Sequence, residues 1–127
     1  MFEVSAEQTF AAGHALRGYQ GKCENVHGHN YRVRVTLEGE ELNSIGLLVD
    51  FVDMKRAMKR IIEYVDHRFI NDLPPFDTVN PTAENMAKWF CDEFQKKLHE
   101  GLAEVPARVS EVVVWETEKN IAKYRPV

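Results

Sequence analysis

The sequence predicts an α+β fold in which a four-stranded antiparallel sheet carries two helices on one face, in the order ββααββ. Three observations predict it. Apolar and polar residues alternate near both ends of the chain, and two amphipathic stretches with three- and four-residue apolar spacing occupy the middle. No internal repeat, low-complexity segment or linker interrupts them. The 127 residues suit a single domain spanning 1–127, long enough to bury a core without disulfides or a structural metal. A metal bound here would therefore serve chemistry rather than folding.

The first strand is expected over Phe2 to His14, where Phe2, Val4, Ala6, Phe10, Ala12 and His14 share one parity. After a glycine-containing loop from Arg17 to Lys22, HGHNYRVRVTLEGE alternates more cleanly. Tyr31, Val33, Val35 and Leu37 oppose Arg32, Arg34, Thr36 and Glu38, and His27 and His29 continue the apolar parity. A short additional strand is expected at Leu47 to Val49. In VDFVDMKRAMKRIIEYVDH the residues Phe51, Met54, Met58, Ile61, Ile62 and Val65 follow helical spacing, with Asp50 as N-cap. Pro74, Pro75, Asn80 and Pro81 mark a loop before a second helix near Thr82 to Leu102, striped by Met86, Phe90, Phe94 and Leu98. RVSEVVVWETE and NIAKYRP read as two strands joined by a turn around Lys119 and Asn120. The sheet face beneath the helices should then carry the histidines.

A formal charge of −4 argues against a nucleic-acid surface, which would show a basic stripe, and leaves small molecules as the expected partners. The N-terminal segment has no basic leader with an apolar run, and no apolar stretch approaches the roughly 18 residues of a membrane span. A cytoplasmic location is expected, and with it no disulfide between Cys23 and Cys91.

The segment CENVHGHNY concentrates reactive side chains. His27 and His29, one residue apart on a strand, project from the same face, where both imidazoles can reach one metal ion. His14 shares the apolar parity of its own strand and completes a three-histidine set with an open position, the arrangement of catalytic zinc. Zinc is preferred over iron or copper because no carboxylate companion and no cysteine–methionine set is evident. A cupin-type barrel would want a glutamate shortly after the second histidine, where this chain has Arg32 to Val35. Cys23 can be read as a ligand, an inert thiol or a base with a lowered pKa, with the base reading favoured once three histidines are available. Cys91, beside an apolar helical stripe, reads as a small buried hydrophobe. Asp66 and His67 form an adjacent pair suited to proton relay, or simply the cap of a helix C-terminus. His99 calls for no more than a polar helix end. Glu116 shares the parity of Val112 and Val114, so it either meets a donor pair or stands in solvent.

Taken together, FAAGH, CENVHGHNY, DHRFIN, NPTAEN and WETEKNIAKY resemble, in order and spacing, the 6-pyruvoyl-tetrahydropterin synthase family, which includes bacterial 6-carboxytetrahydropterin synthases. The resemblance runs nearly the whole chain. It implies the tunnelling fold, usually assembled as a homohexamer of two stacked trimers with active sites at subunit interfaces. It further implies His14, His27 and His29 as zinc ligands, Cys23 as catalytic base, and Asp66 with His67 as a relay pair offered by a neighbouring subunit. Glu116 would anchor the pterin, and Thr82 and Glu84 would lie near it. Zinc would polarise side-chain oxygens while Cys23 and His67 move protons, so that isomerisation and carbon–carbon cleavage need no redox cofactor.

The spacing Cys-x-x-x-His-Gly-His resembles enzymes that convert 7,8-dihydroneopterin triphosphate to 6-carboxytetrahydropterin on the route to 7-deazapurines and queuosine. The pyruvoyl-forming animal enzymes usually carry a longer spacing. Glu24 makes a second motif, Glu-x-x-His-Gly-His, which in some relatives yields 6-hydroxymethyl-dihydropterin for folate synthesis; the alternative is a solvated loop carboxylate. Two non-enzymatic readings also stand, a metal-dependent pterin binder and a zinc-stabilised oligomer. Arg17, Lys22 and Lys119 are available cations for a triphosphate.

Overall fold

The computed structural model describes residues 1–18 and 25–127; Lys22, Cys23 and Glu24 lie outside the described residues. Strands β1 (Phe2–His14), β2 (His27–Gly39), β3 (Arg108–Trp115) and β4 (Ile121–Tyr124) form one antiparallel sheet in the order β1-β2-β3-β4. Helices α1 (Phe51–Ile62) and α2 (Ala83–His99) follow the first two strands in the chain, which gives the expected ββααββ order. Helix α1 packs over β1, and α2 over β3 and β4.

The alternation of the strands decides which face the helices cover. Ala6, Phe10 and Ala12 of β1, Tyr31, Val33, Val35 and Leu37 of β2, and Val112 and Val114 of β3 are buried with Met54, Met58, Met86, Phe90 and Phe94 of the helices. Phe10 stacks on Tyr31 at 5.0 Å between ring centroids and meets Phe90 at 5.7 Å. The other face is polar: Arg34 Nε donates to Glu7 at 2.7 Å, and Arg32 and Arg34 lie over the Trp115 ring at 4.0 and 5.0 Å. A bulge lies where Thr36 pairs with Glu111 but Leu37 with Val109. The extra residue, Ser110, shifts the parity of β3, so that Val109 and the pair Val112 and Val114 all reach the core.

The helix termini follow local chemistry. Asp50 caps α1 by accepting the Val52 N–H at 2.8 Å, as its position in the sequence predicts. Thr82 caps α2, its hydroxyl oxygen accepting the Asn85 N–H at 3.1 Å. Helix α2 stops at His99, before the expected end at Leu102. Gly101 adopts φ +99°, the Gly101 N–H bonds the Leu98 carbonyl, and the Leu102 N–H reaches back to Lys97, a Schellman ending. The strand expected at Leu47 to Val49 does not form. Asn43 Oδ1 accepts the N–H groups of Ile45 and Leu47, while the Leu47 carbonyl accepts from Asn43 N–H, so the local turn occupies backbone groups that a strand would need. No helix among the described residues is long and apolar enough to cross a membrane.

Because Phe90 joins the helix layer to the Phe10–Tyr31 stack, Phe90→Ala should destabilise the protein by about 3–5 kcal/mol, measured as a lower urea midpoint with an unchanged slope.

Candidate metal centre and proton-transfer pair

The β1–β2 register pairs His14 with His27 and Ala12 with His29. His14 and Ala12 are two residues apart on β1, as His27 and His29 are on β2, so all three imidazoles project from the helix-facing side. Ring centroids lie 4.4 Å apart for His14 and His27, 5.3 Å for His14 and His29, and 4.8 Å for His27 and His29. Glu116, the first residue beyond β3, faces the same cluster. Its Oε1 lies 3.1 Å from His29 Nε2 and 3.4 Å from His14 Nε2. One ligand atom from each of these four residues falls within 4.8 Å of every other.

Hydrogen bonds fix how two of the imidazoles face the cluster. His14 Nδ1 lies 2.7 Å from the Pro81 carbonyl, and His27 Nδ1 lies 2.8 Å from the Asn25 carbonyl. A carbonyl can only accept, so each Nδ1 carries a proton, and each neutral ring turns its Nε2 lone pair inward. Those two Nε2 atoms stand 2.8 Å apart. Two lone pairs at that distance repel unless a proton or cation lies between them. A proton is disfavoured at His14, whose pKa falls below the ordinary 6.5, chiefly through burial, with His27 and His29 adding to the fall and the Pro81 carbonyl and Glu116 opposing it. His29 Nε2 is buried and, despite its closeness to Glu116, makes no hydrogen bond among the described residues. This electron-rich set of three imidazoles and one carboxylate fits a divalent metal ion. It also corrects the expectation that no carboxylate accompanies the histidines, since Glu116 returns to them across the sheet. Imidazoles and a carboxylate suit several first-row metals.

Asp66 and His67 lie beyond the C-terminus of α1, along the outer edge of β1. The Ala11 N–H donates to Asp66 Oδ1 at 3.1 Å, the His67 N–H to the Ala11 carbonyl at 2.6 Å, and the Gly13 N–H to the Arg68 carbonyl at 3.0 Å. Asp66 therefore does not cap the helix, whose C-cap is Glu63. His67 Nδ1 lies 2.9 Å from Asp66 Oδ1, and His67 takes φ +58°, left-handed backbone that a non-glycine residue rarely adopts. The Asp66 carboxyl sits below its usual range, chiefly through the Ala11 N–H and, against some desolvation, through His67. His67 is 81% exposed. A recess of about 610 Å³ is lined by His67, Phe69, Gly13, Gly28 and His29. A second recess, of about 600 Å³ between α1 and α2, is lined by Tyr64, Trp89 and charged residues and holds none of these histidines.

Of the remaining expected site residues, Thr82 spends its hydroxyl oxygen on the cap of α2, next to the Pro81 that holds His14. Glu84 is exposed in the first turn of that helix. Arg17 donates to the carbonyls of Asn71 and Phe76, and Lys119 is exposed in the β3–β4 turn. Cys91 is buried and its thiol is pushed up to about 11, in keeping with a packing role. His99 is exposed at the end of α2. Two asparagines escaped the sequence reading. Asn71 accepts the Ala15 N–H and donates to the Ala15 carbonyl; Asn80 does the same for Arg17. These paired clamps fix the chain as it leaves His14. Both stand in motifs quoted above, but nothing local in the sequence marks a two-point clamp.

Neutral, buried His14 binds fewer protons in the folded state than in the unfolded chain, so stability rises with pH through this group's titration and is lost as pH falls below about 6.5. The urea midpoint of the metal-free protein should decrease between about pH 7.5 and about pH 5.5. The decrease should be shallower in His14→Gln.

Comparison with known proteins places this geometry. The family model described as 6-pyruvoyl tetrahydropterin synthase matches residues 3–127. The chain is 32% identical to the 6-carboxy-5,6,7,8-tetrahydropterin synthase of Aquifex aeolicus, covering 98% of each chain. It is 34% identical to the human 6-pyruvoyl tetrahydrobiopterin synthase, covering 97% of this chain and 90% of that one. The solved structure of Caenorhabditis elegans 6-pyruvoyl tetrahydropterin synthase superposes with a TM-score of 0.85 at 29% identity, covering 99% of this chain and 96% of that one. With a family match over almost its whole length and the same tunnelling fold, the chain belongs to the 6-pyruvoyl tetrahydropterin synthase family.

Proposed function

We propose that the protein is a zinc-dependent lyase that converts 7,8-dihydroneopterin triphosphate to 6-carboxy-5,6,7,8-tetrahydropterin for 7-deazapurine and queuosine synthesis. The observation that carries the proposal is the convergence of three imidazoles on one point, bordered by a carboxylate-oriented histidine. The choice of product rests on the Cys23-x-x-x-His27 spacing, because relatives forming either product are about equally similar.

His14, His27 and His29 would hold the zinc through Nε2. The ion supplies Lewis-acid polarisation of the pterin side-chain oxygens. Pro81 and Asn25 keep two of the ligand rings in the tautomer that presents a lone pair. Asp66, itself oriented by the Ala11 N–H, holds His67 Nδ1, which leaves Nε2 as the nitrogen free to exchange a proton. Cys23 serves as the base that opens the reaction, and His67 exchanges the second proton. Glu116 anchors the pterin by accepting from its amino and ring N–H groups; Thr82 and Glu84 flank the ring. Glu24 supports a secondary reaction giving 6-hydroxymethyl-7,8-dihydropterin.

As edge strands of the sheet, β1 and β4 each have one side without a strand partner in it. That supports closure by like subunits; the assembly proposed is a homohexamer of two trimers, and the location proposed is cytoplasmic.

The deciding experiment is mass spectrometry of the products formed from 7,8-dihydroneopterin triphosphate by zinc-loaded protein. A dominant 6-carboxytetrahydropterin signal is expected; a dominant 6-hydroxymethyl product would overturn the assignment and transfer the leading role to Glu24. Cys23→Ala should abolish turnover while retaining pterin binding, the outcome that separates an enzyme from a binder. His67→Ala should lower kcat by about 10² to 10⁴, in single-turnover assays.

A further inference from the structure

Tyr31 is fully buried, two residues after His29, and its hydroxyl has no hydrogen-bond partner among the described residues. A buried hydroxyl without a partner is costly, and its persistence calls for an explanation. The ring cannot turn away to find one. It stacks on Phe10 at an interplanar angle of 14°, and it meets His29 and His14 edge-on at 5.6 and 5.9 Å.

The sheet register indicates what the hydroxyl faces. Arg32 pairs with Trp115 as the last rung of the β2–β3 ladder, and the same register continued by one residue would set Tyr31 across from Glu116, both on the helix-facing side. Glu116 now rests against Nε2 of His29 and of His14. The Nε2 atoms of His14 and His27 carry no proton, and a cation held by the cluster takes the lone pair of His29 Nε2 as well, so no histidine offers the carboxylate a donor. Glu116 then needs another donor, and Tyr31 offers a buried one whose proton is held more tightly chiefly through burial and then through the Glu116 charge.

We propose that Tyr31 is a positioning residue that donates its hydroxyl proton to the Glu116 carboxylate when the histidine cluster holds a metal ion, and so sets where that carboxylate points. The inference rests on the metal-holding reading of the cluster. No covalent step is involved.

The test is zinc titration of the wild type, Tyr31→Phe, Glu116→Gln and the double variant, read by chelator competition and by near-ultraviolet difference spectra, with thermal unfolding of each metal-free form. Tyr31→Phe should weaken zinc binding by about tenfold, because the carboxylate it orients stands beside the three histidine ligands and its charge attracts the ion. In the Glu116→Gln background the same change should cause little further loss, because its partner is already altered. Zinc should red-shift the tyrosine absorption of the wild type, as expected when a phenol becomes a donor to a carboxylate, and this shift should vanish in both single variants. The metal-free Tm of Tyr31→Phe should equal or exceed that of the wild type, since an unpaired hydroxyl has been removed. Unchanged zinc affinity in Tyr31→Phe, an equal loss in both backgrounds, a retained red shift, or a lower metal-free Tm would each overturn the inference. A wild type that binds no zinc would overturn the metal-holding reading and this inference with it.

Discussion

The antiparallel register of β1 against β2 sets His14 opposite His27 and Ala12 opposite His29, and the candidate site depends on it. A slip of one residue would turn the imidazoles of one strand to the polar face and remove the cluster. The register is held by burial. Ala6, Phe10 and Ala12 on one strand and Tyr31, Val33, Val35 and Leu37 on the other face the helices, and a one-residue slip would bury Arg32 and Arg34 in their place. The same hydrophobic pattern that folds the sheet therefore aligns the histidines.

That alignment crowds acceptors together. Two Nε2 lone pairs at 2.8 Å and a carboxylate within 3.4 Å make an unfavourable set in the absence of positive charge. The surroundings hold it in place. Pro81 and Asn25 fix two ring orientations, Asn71 and Asn80 clamp the chain just after His14, and the Phe10–Tyr31 stack supports the cluster from below. Core packing and these hydrogen bonds thus orient the side chains of the cluster. This agrees with a chain large enough to fold without a structural metal.

The edge of β1 serves a second purpose. Residues from Asp66 to Phe69 run along it, bonded to Ala11 and Gly13, and the left-handed turn at His67 directs the imidazole outward while Asp66 keeps hold of Nδ1. Backbone strain of this kind persists where neighbouring bonds over-determine it. Here two backbone hydrogen bonds to β1 and a third from the Ala11 N–H to the Asp66 carboxylate do so, and they place the His67 imidazole at the rim of the recess that also reaches His29.

Much of this was legible in the sequence. Strand parity is local, so the shared face of His14, His27 and His29 could be read from alternation, as could the two helices from their apolar spacing and the cap at Asp50 from its position before the first turn. Long-range pairing was not legible. That Glu116 returns to the histidines and that Asp66 bonds to Ala11 instead of capping α1 both depend on segments tens of residues apart in the chain meeting in space. Short-range competition also escaped, as when the Asn43 turn displaced the strand expected at Leu47 to Val49. By itself the sequence determined which side chains each element presents and to which face, because periodicity follows from backbone geometry within a single strand or helix. Only the tertiary structure decided which of those side chains meet, because register across a sheet is set by the simultaneous burial of every strand's apolar face against the helices.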